Sequence, residues 1–272
     1  MNRFRIALVA AGAATLAACS YEKNATQDIT APITGANVKF FNFGVNAPGL
    51  NFFVNDAKVT AISSTSCSPP PTTPNPACNS TGVESTTGTA AGAVANGGLY
   101  NVVPSGSVTL AGKIATTTDN GLAVATTSTS LENGKFYTFF TSGIYDATSK
   151  KVDAFVLEDV LPQFDFANAY VRFVNASSNA AASTVFAKNQ TTGAEAAVGG
   201  AVAYKAGGTF VSLAPGLYDL NLRVGSESTN LVTLTGASFA AGRVYTVTLR
   251  GDMTVTSTTA ATRPVLQSNT TR

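Results

Sequence analysis

The sequence predicts an all-β protein: two tandem antiparallel β-sandwich domains behind an export leader. Three observations predict it. A short apolar run ends at residue 16, just before Ala17-Ala18-Cys19, two motifs recur in the same order in both halves, and β-rich runs alternate with turn residues throughout. Composition agrees. Apolar residues make up 44% of the 272, enough to fill a core, whereas charged residues make up 12%, about half the usual share.

Residues 1–18 read as a signal peptide. Arg3 and Arg5 precede the apolar run 6–16, which suits a signal core but is too short to span a bilayer, where about 20 residues are needed. Leu16-Ala17-Ala18-Cys19 follows and resembles the bacterial lipobox: Leu, two small residues, then the cysteine that takes lipid. The resemblance implies diacylglycerol on the Cys19 thiol, cleavage before it and acylation of the new amine. Each buried CH₂ contributes about 0.8 kcal/mol, so two or three acyl chains anchor stably. By analogy with lipoprotein sorting, Ser20 after the cysteine favours the outer membrane, so a lipid-anchored place in the cell envelope is expected. Residues 19–35 lack periodicity and read as a lipidated, flexible tether.

With Cys19 assigned to lipid, Cys67 and Cys78 remain, and an oxidising compartment favours a disulfide between them. It would close a Pro-rich loop of about twelve residues, nominally stabilising by about 3 kcal/mol through the unfolded chain. A metal site or a redox pair competes. Neither has support from spacing, since no CxxC and no further Cys or His completes either.

The repeat sets the domain plan. Ala36-Asn-Val-Lys-Phe-Phe-Asn-Phe-Gly-Val-Asn-Ala47 aligns without gaps to Ala169-Tyr-Val-Arg-Phe-Val-Asn-Ala-Ser-Ser-Asn-Ala180, and Lys39 falls on Arg172. Later, Asn133-Gly-Lys-Phe-Tyr-Thr-Phe-Phe-Thr-Ser-Gly143 aligns to Ala241-Gly-Arg-Val-Tyr-Thr-Val-Thr-Leu-Arg-Gly251, with Tyr137 on Tyr245. Kept order and spacing indicate a duplicated domain. The first module spans 36–162, with a Pro-, Ser- and Thr-rich insertion at 63–98; the second spans 163–272.

Within each module the pattern is strand-like. Val38, Phe40 and Asn42 alternate with Lys39, Phe41 and Phe43, and Asn55-Asp56, Asn133-Gly134 and Pro215-Gly216 punctuate the runs. About seven strands per hundred-odd residues point to an antiparallel sandwich. Leu213-Ala-Pro-Gly-Leu-Tyr218 resembles the tyrosine corner of immunoglobulin-like sandwiches, so Tyr218 is read as architectural. Val108 takes its place in the first module. Where both strand faces carry Phe, the outer set is expected either to pack on the other domain or to form an exposed recognition patch.

Chemistry is harder to find. The chain has no His and no Trp, which removes Ser-His and Cys-His catalysis and one common sugar platform. Without Arg3 and Arg5 the chain carries 15 basic residues against 15 acidic ones, so nucleic-acid binding has no support. No nucleotide or EF-hand motif occurs, and neither a metal nor a cofactor is implied. Glu158-Asp159 is the adjacent carboxylate pair in Val156-Leu-Glu-Asp-Val-Leu161. Strand neighbours face opposite ways, so the pair reads as a solvated strand end before Pro162.

The motifs together, Ala169-Tyr-Val-Arg-Phe-Val-Asn-Ala-Ser177, Leu-Ala-Pro-Gly-Leu-Tyr218 and Ala241-Gly-Arg-Val-Tyr-Thr246, resemble a bacterial surface-module family known as a domain of unknown function (number four-three-nine-seven). The resemblance implies tandem, exported and anchored domains, and no established activity. A histidine common in the family's first motif is absent, its place taken by Phe43 and Ala176, so any function resting on it does not transfer. The expectation is a non-enzymatic cell-envelope lipoprotein for binding, adhesion or scaffolding. Its partners would be the membrane, through the anchor, and a protein or glycan ligand the sequence leaves open. A carbohydrate- or polysaccharide-associated module and a carboxylate-based hydrolase are the alternatives.

Overall fold

The computed structural model describes residues 34–60, 62–63, 83–84, 87–225 and 227–272. The leader, Cys19, nearly all of the tether and the Cys67–Cys78 pair lie outside the described residues.

The first half contains β1 (Ala36–Asn42), β2 (Leu50–Val54), β3 (Ala57–Lys58), β4 (Ile62–Ser63), β5 (Val83–Glu84), β6 (Ala93–Val94), β7 (Asn101–Val103), β8 (Gly106–Ile114), β9 (Ala123–Leu131), β10 (Phe136–Asp146) and β11 (Lys151–Glu158). The second contains β12 (Ala169–Asn175), β13 (Ser183–Asn189), β14 (Glu195–Ala197), β15 (Ala206–Gly207), β16 (Val211–Leu213), β17 (Gly216–Val224), β18 (Val232–Phe239), β19 (Val244–Arg250) and β20 (Val265–Thr270). Among the described residues the helical content is one 3₁₀ turn at Ala95–Gly98.

Each half is a two-sheet sandwich, and the two share one plan. In the first, β11-β10-β1-β6, with β7 also on β1, packs against β3-β2-β8-β9. In the second, β20-β19-β12-β15, with β16 on β12, packs against β14-β13-β17-β18. The register repeats as well: Val38 lies opposite Tyr137 as Val171 lies opposite Tyr245, and Ala36 opposite Val103 as Ala169 opposite Leu213. The short β4–β5 ribbon falls in the insertion and has no counterpart.

Two details depart from the sequence expectation. The strands outnumber seven per module because short edge pieces break the runs, β6 and β7 along β1 and β15 and β16 along β12. The sandwiches are also not wholly antiparallel, since β1 pairs parallel with β10 and β12 with β19. The chain leaves β1 for the opposite sheet and returns before adding β10. Neighbours joined by such a long crossover, unlike hairpin partners, are free to run in the same direction.

Local chemistry explains the elements. Asn55 and Asp56 turn β2 into β3 at φ +46° and +64°, a left-handed pair that Asn and Asp accept where branched residues would not. Inward-facing Phe40, Phe52 and Phe139 lie with ring centroids 5.2–6.0 Å apart at the centre of the first core. Phe173, Leu220, Leu222 and Phe239 fill the second.

A third apolar cluster lies between the sandwiches. Phe41, Phe43, Phe140 and Phe155 stand on the outer face of the β11-β10-β1 sheet and pack on Val174 and Ala176 of the second module. The outer Phe set is thus buried against the other module rather than exposed, and Thr34–Arg272 forms one compact unit.

Phe140→Ala should cost about 3–5 kcal/mol, because its fully buried ring leaves a cavity. It should also split urea unfolding, followed by circular dichroism, from one transition into two. A variant with one transition at an unchanged midpoint would show that this cluster does not couple the modules.

Candidate functional site

The joint between the modules carries the most unusual chemistry of the described residues. Strand alternation sends Phe40 and Phe173 into the two cores, and so sends their neighbours Lys39 and Arg172 to the outer faces that meet. There both cations are buried, each 3% exposed, beside Asp159 at 2%.

The contacts obey an approximate two-fold relation. Lys39 Nζ donates to the Thr270 and Thr271 carbonyls at 3.2 and 2.9 Å, at the end of the second module's last strand. Arg172 Nη1 donates to the Glu158 carbonyl at 3.2 Å and Nη2 to Asp159 Oδ1, at the end of the first module's last strand. Each cation also lies over a ring at an equivalent position in its own module, Lys39 over Tyr100 at 4.3 Å and Arg172 over Phe210 at 4.8 Å.

Further hydrogen bonds tie the network together. Asp159 Oδ2 accepts from the Tyr100 hydroxyl and from Thr138 Oγ1, both at 2.7 Å. Arg172 Nε donates to Thr246 Oγ1 at 3.0 Å, and Thr246 and Thr271 share a hydroxyl contact at 2.9 Å. One buried carboxylate thus serves two buried cations. Burial pushes the Lys39 ammonium down to about 8; the Asp159 charge opposes this and the Arg172 charge adds to it. Burial, then the Asp159 charge, lifts the Tyr100 phenol far above its usual range.

Asp159 is therefore not a solvated strand end. Glu158 and Asp159 do face opposite ways, with Glu158 exposed and beside Lys135 at 3.4 Å. The face receiving Asp159 is covered by the second module, a long-range fact that local periodicity does not carry.

At one edge of the joint the two-fold relation fails. Gly92 N donates to the Asn42 carbonyl as Lys205 N donates to Asn175, which places Ala91 in the position of Tyr204. Tyr204 fills its side: its hydroxyl lies 3.0 Å from Ser142 Oγ, donates to Asp153 at 2.8 Å, and covers Gly143. Ala91 cannot reach as far. A notch of about 90 Å³ is left, bounded by Phe43, Gly44, Gly92, Arg250 and Gly251. Arg250 stands where the first module has Ser142. Its Nε donates to Gln267 Oε1 at 2.6 Å, and its guanidinium carbon lies 5.7 Å from the Phe43 ring centre. Among the described residues no carboxylate pairs with it.

Tyr218 is the third residue of β17, with its ring 5.6 Å from Phe239, and its hydroxyl donates to the Ala214 carbonyl at 2.7 Å. Two further tyrosines, matched in the repeat without a role assigned, make paired contacts. The Tyr137 and Tyr245 hydroxyls accept from the Glu132 and Ala240 amides, each at 3.0 Å, five residues upstream. Among the described residues no three His, Cys, Asp or Glu cluster as metal ligands.

Residues 169–271, the second module, match the family described as Domain of unknown function (DUF4397). No curated protein matches the chain. Among solved structures the chain is similar to a Bacteroides ovatus protein provisionally assigned to cell adhesion. That likeness has 11% identity and a TM-score of 0.20, and covers 88% of this chain and 96% of that one.

Asp159→Ala should destabilise by about 3–5 kcal/mol in urea unfolding, since it strands Arg172 as an unpaired buried charge. Lys39 gives a second test. Folded, it loses its proton near pH 8; unfolded, near 10.4. Between these values the unfolded chain binds more protons, so stability should rise with pH by up to about 1.4 kcal/mol per unit. Above about pH 10 the retained Tyr100 proton reverses the trend. Urea midpoints at pH 8 and 9.5 should show the rise in the native chain but not in Lys39→Met; an equal slope in both would refute the assignment.

Proposed function

We propose that this chain is a non-enzymatic, lipid-anchored protein of the cell envelope, at the outer membrane where there is one. Its two sandwiches would act as one binding, adhesion or scaffolding unit. On this reading residues 36–162 are a second, diverged copy of the family matched by residues 169–271, and a lipid on Cys19 tethers the pair.

The observation that carries the reading is the joint. An enzyme that works by domain closure needs a hinge it can open, whereas here opening would expose Lys39, Arg172, Asp159 and four Phe rings together. Two sandwiches held at a fixed angle suit a surface that engages a partner over several loops at once.

A glycan ligand is favoured by one exposed feature between the modules. Phe164 and Phe166, 57% and 80% exposed, form an edge-on pair with centroids 4.4 Å apart. Exposed rings of this kind offer apolar faces to sugar C–H groups.

The anchor is the first thing to test. Cells fed radiolabelled palmitate should label the native chain and deliver it to the membrane fraction. Cys19→Ser should carry no label and leave that fraction. Label retained on Cys19→Ser would overturn the lipoprotein reading. For the glycan ligand, binding on a glycan array should fall at least tenfold in Phe166→Ala, and a silent array would count against it.

A further inference from the structure

We infer that the notch at Arg250 is a binding site for a carboxylate group, held between the two modules. This deepens the binding reading above and rests on it. Three observations converge.

The first is the broken two-fold relation. Tyr204 plugs one edge of the joint against Ser142 and Gly143. At the equivalent place Ala91 leaves about 90 Å³ open against Arg250 and Gly251. A joint selected only for packing would fill both edges.

The second is charge. Arg250 is half-buried, and none of the residues lining the notch is acidic. Among the described residues no carboxylate pairs with this cation, and burial first, with the Arg263 charge second, holds its guanidinium below the usual range. Leaving a charge partly desolvated without a partner is costly, and a bound anion relieves that cost.

The third is shape. A Cβ added at Gly92 would lie 3.0 Å from the Arg250 guanidinium carbon, so the guanidinium rests flat on Gly92. Its Nε is taken by Gln267, and among the described residues the Nη1–Nη2 edge has no hydrogen-bond acceptor, which leaves it as the donor pair. That edge matches the two oxygens of one carboxylate in plane. The Phe43 ring beside it favours a ligand whose carboxylate sits on an apolar or sugar-ring body. A tetrahedral dianion would ask for more donors than this slot offers. The carboxylate could belong to an acidic sugar or to a peptide C-terminus; the chemistry recognised is the same.

The test follows the Gly92 and Gly251 amides of the full-length, ¹⁵N-labelled chain in detergent. The titrants are sodium acetate, D-glucuronate and a dipeptide with uncharged side chains and a free C-terminal carboxylate, with glucose and inorganic phosphate as controls. Saturable shifts with at least one carboxylate, and none with glucose, are expected. Glucuronate binding more than threefold tighter than the dipeptide would identify the source as an acidic sugar, and the reverse order a peptide end. Ala91→Tyr, which places on this side the plug that Tyr204 makes on the other, should abolish the shifts without altering the urea midpoint by itself. Arg250→Gln should weaken binding at least tenfold.

No saturable shift with any carboxylate, phosphate binding more tightly than acetate, or equal shifts in Ala91→Tyr would each overturn the site. None of these results bears on the palmitate test, so the envelope reading stands or falls separately.

Discussion

Asp159 is the carboxylate around which the two modules are arranged. It follows the last strand of the first sandwich, yet its partners Tyr100 and Thr138 come from that sandwich and Arg172 from the other. Removing a carboxylate and two cations from water costs several kcal/mol per ion, and the attraction between them recovers that only with every polar valence filled. Here Tyr100, Thr138, Thr246 and the strand-end carbonyls of Glu158, Thr270 and Thr271 supply hydrogen bonds to the three ions. The net stability from such a network is small. What it does is penalise every other arrangement, because a shifted joint would leave a charge buried and alone. The apolar cluster beside it supplies the adhesion, and the ions supply the angle.

That division explains why the two outer faces have diverged. Phe140 and Phe155 on the first module correspond, by strand register, to Thr248 and Gln267 on the second. Large rings on one face meet small and polar groups on the other. Two identical faces would pair equally well between chains, since self-complementary patches make isologous dimers. A Phe-rich face opposed to a Val-, Ala- and Thr-bearing one favours its covalent neighbour instead. The same divergence substitutes Ala91 for Tyr204 and Arg250 for Ser142, and so opens the notch.

Much of this was written in the chain, and the remainder is missing for definable reasons. Period-two alternation places Phe40 and Phe173 inside and Lys39, Phe41 and Phe43 outside, as found. The repeat, with Lys39 on Arg172 and Tyr137 on Tyr245, foreshadows both the joint cations and the paired tyrosine hydroxyls. The reading of Asp159 as a solvated strand end fails because the surface that buries it belongs to the other module, beginning with Arg172 13 residues on, and local periodicity carries no trace of that packing. The parallel β1–β10 pairing is equally non-local. Ala91 and Tyr204 lie in stretches too different to align. Only the shared amide contacts to Asn42 and Asn175 bring them into register.

The notch and the joint are then one device rather than two neighbours. Phe43 and Gly44 come from the first module, Arg250 and Gly251 from the second, so a ligand seated there touches both. Its affinity depends on the angle that Asp159, Arg172 and Lys39 set, although none of these touches it. By linkage the dependence runs both ways: a ligand that prefers the native joint stabilises that joint by the same free energy. A loosened joint would therefore weaken the site before it unfolded either sandwich, and saturating ligand would restore part of the lost cooperativity. In this fold the geometry of binding is set by ions buried elsewhere in the same interface.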